Sequence, residues 1–155
     1  IPLSFPVEVD TLDEIVLIFR HSSGLRFDPA LPHFHLYGTD LCLSARALGR
    51  LAWVIPLPCI HNTHELIELP AEYYLCYDYI KFKWWQYLPI HTPCSRISLF
   101  NEDIYFRKLR EFYRFMRGKS LVAQPRTAQP AELFFNLCAE NLALYSKSPQ
   151  TKAFP

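Results

Sequence analysis

The sequence predicts an α/β fold, with a partial sheet in its first part and a helical extension after it. Three observations carry this reading. Glu14 to Arg20 (Glu-Ile-Val-Leu-Ile-Phe-Arg) is a continuous β-branched and aromatic run, and Leu51 to Ile55 is a second apolar run. Between them lies a stretch with a helix start signal and a helix stop signal. From Ala71 onward, apolar residues recur at helical spacing instead.

Ile1 to Asp10 is punctuated by Pro2 and Pro6 and is expected to be extended. Glu14 to Arg20 is expected to be a strand buried on both faces, because its apolar residues do not alternate with polar ones. His21 to Gly24 is a turn, and Phe27-Asp28-Pro29 opens a loop that ends at His35. Thr39 is a candidate N-cap and Gly49 a candidate C′ residue, so the spacing predicts a helix from about Asp40 to Leu48. Gly38 would let the chain turn sharply just before the cap. Leu51 to Ile55 is expected to be the second strand, with Pro56 and Pro58 ending its pairing.

The extension begins near residue 70, which divides the chain into 1–69 and 70–155. Glu72 to Trp85 is an aromatic helix with Tyr73, Tyr74, Tyr77, Ile80 and Trp84 near one face, broken by Leu88-Pro89. His91-Thr92-Pro93 is read as a loop. Asn101 is a candidate N-cap for a helix to about Met116, stopped by Gly118. Its apolar residues Ile104, Leu109, Phe112 and Phe115 are expected to pack inward, opposite a basic side of Arg107, Lys108, Arg110, Arg114 and Arg117. Ser120 to Gln129 reads as a linker. Pro130 at N1 opens a last helix, Ala131 to Tyr145, with Leu133, Phe134, Leu137 and Leu144 inward. The tail from Ser146 is expected to fray.

The chain has 155 residues, enough for one modest domain, and half of it is hydrophobic. A net charge of +1 gives no global argument for nucleic acid or an anionic membrane. The five cysteines form no Cys-x-x-Cys pair, which suits reduced thiols in the cytoplasm. Leu51 to Ile60, the longest apolar run, is too short to span a bilayer. The first residue is Ile1 rather than Met, which suggests a fragment.

The words Phe27-Asp28-Pro29 to His35, Tyr37-Gly38-Thr39-Asp40-Leu41-Cys42 to Ala45-Arg46, Gly49, and Ile60-His61-Asn62 stand in a definite order. Together, over roughly Val9 to Asn62, they resemble the acceptor-side half of a family 2 (GT-A fold) glycosyltransferase. The resemblance implies a partial GT-A-like, Rossmann-like sheet and inverting transfer of a sugar from a nucleotide-sugar donor to a glycan acceptor. It makes Asp40 the catalytic base, His61 a ligand of a divalent Mn²⁺ or Mg²⁺, and His35 and Tyr37 the lining of the acceptor pocket. A base must take the proton from the attacking hydroxyl, and a cation must stabilise the leaving diphosphate. Arg46 is a candidate for reaching that diphosphate, although a solvated helix arginine is the plainer reading.

Family members also carry an Asp-x-Asp that holds the metal and the diphosphate, and this chain has none. The resemblance therefore implies an acceptor half without its donor half, inactive alone and open to self-association along the uncovered edge of Glu14 to Arg20. A non-catalytic interaction module is the second reading. A small metal site built on His61, His64, His33 and His35 is the third. The Lys81 to Trp85 cluster is read as aromatic core, and the Asn101 to Met116 helix as packed rather than lying on a membrane surface.

Overall fold

The computed structural model describes residues 5–57, 59–62, 69–118 and 126–145, with side chains as far as 140. The elements run β1 (Val7–Val9), α1 (Tyr37–Ala47), β2 (Ala52–Val54), α2 (Ala71–Lys83), β3 (Ile90–His91), β4 (Arg96–Ile97), α3 (Glu102–Met116) and α4 (Pro130–Tyr145), with single 3₁₀ turns at His21–Ser23 and Trp85–Tyr87. Helix and sheet are thus mixed, but no Rossmann-like sheet forms among the described residues. The described residues form two small sheets of two strands each, and both are antiparallel.

β1 lies against β2 with Val7 opposite Val54 and Val9 opposite Ala52. The strand expected at 14–20 is absent from both sheets. That run bends at Glu14 and Ile15 and takes no regular secondary structure after them, and among the described residues the backbone of 15–19 makes no hydrogen bond. Its side chains are not buried on both faces either, and Ile18 is 78% exposed. A strand needs a neighbour to satisfy its N–H and C=O groups, and hydrophobicity alone does not supply one.

α1 begins three residues earlier than the cap signal implied. Leu36 holds the N-cap position with φ 60°, and no side chain of its own or its neighbours caps the helix. The Glu14 carboxylate does so from a distance, accepting a hydrogen bond from the Gly38 N–H at 3.3 Å. Thr39 is consequently inside the helix and fully buried. Gly38 is needed for close approach rather than for a turn: a Cβ there would lie 2.8 Å from the Leu12 carbonyl oxygen.

α2 is the pillar of the core. Tyr73, Cys76, Tyr77, Ile80 and Trp84 recur at three- and four-residue intervals and pack with Leu36 and Leu43 of the α1 region, Ile90 and Ile97 of the hairpin, and Ile104 of α3. The core therefore draws on residues from both sides of position 69. A second, smaller cluster joins Leu25, Leu41 and Ala45 with Leu17 against it.

The loop expected at 91–93 is the turn of the β3–β4 hairpin, where the Thr92 hydroxyl accepts hydrogen bonds from the N–H groups of Cys94 and Ser95. α3 has the expected bounds, but Asn101 does not cap it. Asn101 adopts φ 54° and its side-chain oxygen accepts from Lys81 Nζ at 2.7 Å. Of the four residues expected inward on α3, only Ile104 is buried, whereas Leu109, Phe112 and Phe115 are exposed. Leu133 and Phe134 of α4 are also exposed. The side chain of Leu144, much of the expected linker and the tail lie outside the described residues.

Candidate functional site

Asp40 enters the first turn of α1 and is 2% exposed. Both of its carboxylate oxygens are engaged by the C-terminal end of α2. Lys83 Nζ lies 2.7 Å from Oδ1 and 3.0 Å from Oδ2, and the Trp84 indole N–H donates to Oδ1 at 2.6 Å. The same ammonium donates to Asp28 Oδ2 at 2.6 Å, and the Tyr79 hydroxyl donates to that oxygen at 2.7 Å. The other Asp28 oxygen accepts the Ala30 N–H. One cation thus bridges two carboxylates, and two aromatic side chains, Tyr79 and Trp84, hold them in register.

The electrostatics follow from these partners. The hydrogen bonds from Lys83, Tyr79 and the Ala30 N–H hold the Asp28 carboxyl down to about 2. Burial acts to lower the Lys83 ammonium, but its hydrogen bonds and attraction to Asp28 and Asp40 outweigh that and leave it raised. An ion triad of this kind is satisfied internally. An incoming hydroxyl would have to displace an indole N–H or an ammonium to reach Asp40, at the cost of leaving a buried charge unpaired.

Neither His35 nor Tyr37 shares in that network. His35 stands edge-on to Tyr73, with ring centres 5.9 Å apart. Tyr37 donates to the Glu14 carbonyl at 3.2 Å, and its ring packs against Phe27 and Phe34. His61 is exposed beyond β2, and His64 lies outside the described residues. Arg46 pairs with Asp10 at 3.3 Å and covers the Tyr87 ring.

Among the described residues no group of three or more His, Cys, Asp or Glu side chains is arranged to hold a metal ion. Between Asp28 and Asp40, where two carboxylates would invite a metal, the Lys83 ammonium already supplies the positive charge.

The sequence reading missed Lys83 and Trp84 as partners of Asp40, and Asp28 and Tyr79 as the other members of the network around Lys83. A signal was present: Tyr79 and Lys83 are four apart on α2 and so share a face, and a lysine in an otherwise aromatic stripe calls for an acid.

A second feature is an apolar groove of about 540 Å³. Its walls are 12–19 on one side and 51–57 on the other, and Leu41, Cys42 and Ala45 of α1 form its floor. Burial in this floor pushes the Cys42 thiol up to about 11, so it is an inert apolar group rather than a nucleophile. Val16, Ile18, Trp53 and Ile55 are exposed along the rims. Glu14 stands at the end of the 15–19 wall. Burial, then its contact with Asp13, pushes its carboxyl up to about 7, against the opposing pull of the Gly38 N–H.

Comparison with known proteins gives a single thread. No family model matches the chain, and no solved structure matches it. A protein of Fuscovulum blasticum named "ATP synthase subunits region ORF 6" is 29% identical over 102 residues, covering 61% of this chain and 38% of the relative. That name refers to the region of the ATP synthase subunits and points away from glycosyl transfer. The expected glycosyltransferase function, with its nucleotide-sugar and glycan vocabulary, is corrected on this finding, and the closed Asp28–Lys83–Asp40 triad gives the correction a physical footing. Among the described residues no helix is long and apolar enough to cross a membrane.

Proposed function

We propose that this chain is a non-catalytic assembly module that pairs with a second copy of itself along residues 14–20. The observation that carries the reading is the apolar run that lines the groove: among the described residues the backbone of 15–19 makes no hydrogen bond, while at its two ends the Glu14 carbonyl accepts from Tyr37 and the Arg20 carbonyl accepts from the Ser23 N–H. An extended segment with free N–H and C=O groups is a template for strand addition.

The run is also self-complementary. Laid antiparallel on itself about Leu17, it sets Ile15 opposite Phe19, Val16 opposite Ile18, and Glu14 opposite Arg20. Each cross-strand pair is then apolar on apolar or acid on base, and the two ends are related by a two-fold axis, as an isologous interface requires. A pairing out of register by two residues would lose the charge match. The closed ion triad supports the non-catalytic part of the reading, as it welds α1 to α2 and leaves no carboxylate free for chemistry at Asp40.

Sedimentation velocity over a concentration series tests the proposal. The parent chain should shift from monomer toward dimer as concentration rises. Ile18→Lys, which places a charge on an exposed position facing the partner, should leave a folded monomer. A parent chain that stays monomeric throughout, or an Ile18→Lys variant that dimerises equally well, refutes it.

A further inference from the structure

We infer that α3 lies on an anionic lipid surface, with its aromatic stripe in the acyl–headgroup boundary and its arginines on the phosphates. This does not depend on the pairing of 14–20. At ~100° per residue, Tyr105, Phe106, Leu109, Phe112, Tyr113 and Met116 fall within an arc of roughly 120°. All six are exposed, and Met116, near the free end, is 67% exposed. The turn before the helix adds Leu99 and Phe100, which are exposed as well. Only Ile104, near the first turn, anchors the helix in the core. A soluble surface helix normally turns such a stripe inward, so an outward stripe of this size marks an interaction face.

The charges select the occupant. At the same spacing Arg117 and Arg110 follow one border of the stripe with Arg114 further round, and Lys108 on the other border holds its ammonium over the Tyr74 ring of α2 at 4.6 Å. None of the three arginines has a carboxylate partner among the described residues, and Arg117 instead covers the Tyr113 ring at 4.4 Å. Of the three acids of the helix, which would dilute this field, Glu111 lies on the side opposite the stripe with its Oε1 buried, and the other two are spent at the helix start. Glu102 accepts from the Ser98 hydroxyl and pairs with Arg96, and Asp103 accepts the Arg96 N–H at 2.9 Å. What faces outward is therefore aromatic in the middle and basic at the edge. That is the pattern of a helix lying in the plane of a membrane, with rings at the boundary and cations reaching anionic headgroups. A partner protein's apolar groove would match the stripe but would not call for unpaired arginines along its border. α4 is apolar around most of its circumference and exposed at Leu133 and Phe135, which would give the surface a second apolar foothold.

The test is co-sedimentation of the full chain with vesicles of phosphatidylcholine alone and of phosphatidylcholine mixed with phosphatidylglycerol, at low and high salt. Binding should require phosphatidylglycerol and weaken with salt. Arg110→Gln, Arg114→Gln and Arg117→Gln together should weaken it about 100-fold, from the usual contribution of each basic residue near an anionic surface. Leu109→Asp with Phe112→Asp, both at exposed positions, should abolish it. A Phe112→Trp variant, whose parent ring is exposed, should shift its emission to the blue on adding the mixed vesicles. Failure of the mixed vesicles to bind the chain overturns the inference, as does equal binding to neutral vesicles. So does an unshifted Phe112→Trp emission, or a lipid-free oligomer that Leu109→Asp with Phe112→Asp breaks apart.

Discussion

At the scale of single residues, the most constrained side chain is Asp40, which accepts from Lys83 and Trp84 while nearly excluded from solvent. Removing a buried partner leaves the other charge uncompensated, so Asp40→Ala should cost about 3 kcal/mol of stability, measured by urea unfolding. Asp40→Asn keeps an acceptor for the indole N–H and should cost less. If Asp40→Ala unfolded at the same urea concentration as the parent, the triad would not be a structural weld. The position of Asp40 in a helix was legible from the apolar spacing of Leu41, Ala45 and Leu48, although Thr39 is not the cap it was read as. Its partner was not, because Lys83 lies 43 positions away and only tertiary packing brings it there.

At the scale of elements, α1 shows how a local signal is overridden. Thr39 is a good N-cap in isolation. In the fold, Glu14 reaches the Gly38 N–H from 24 positions upstream, and the helix starts earlier around it. This gives α1 a pH dependence with a definite sign. Burial raises the Glu14 carboxyl from 4.5 to about 7 in the folded chain, so between those values the folded state holds a proton that the unfolded state has lost. The contribution is fully present below about pH 4.5 and is lost as pH rises toward 7. Stability should therefore fall over that interval, and Glu14→Gln, which does not titrate, should flatten the fall in thermal unfolding measured across the same range. A slope unchanged by Glu14→Gln would remove Glu14 as its source. α2 and the bounds of α3 were readable because their periodicity is long and regular. The burial of α3 was not, since amphipathicity fixes which face is apolar and says nothing about what covers it. The hairpin of β3 and β4 escaped notice for a different reason: two-residue strands carry too few residues to show a period of two.

At the scale of the whole molecule, α2 carries the larger of two core clusters, and the exposed apolar surface includes the groove beside 14–20 and the outer face of α3. The sequence announced both as apolar. It suggested a buried strand for the first and a packed helix for the second, because a hydrophobic run is ordinarily an inside run. The α/β expectation holds in its coarse form, as mixed helix and sheet, while a Rossmann-like sheet would have needed 14–20 to find a parallel neighbour.

The central claim is the self-pairing of that run, and a site-specific crosslink tests it most directly. In a background with Cys59, Cys94 and Cys138 changed to Ser, Val16→Cys and Ile18→Cys chains are mixed and oxidised gently. Directly opposite residues of an antiparallel pair have Cβ atoms about 5 Å apart, close enough for a disulfide with slight adjustment. The account predicts a mixed disulfide dimer joining position 16 of one copy to position 18 of the other, formed faster than either variant crosslinks with itself. No crosslinking above that of a cysteine placed on the far side of the molecule, or equal crosslinking in every combination, would contradict it.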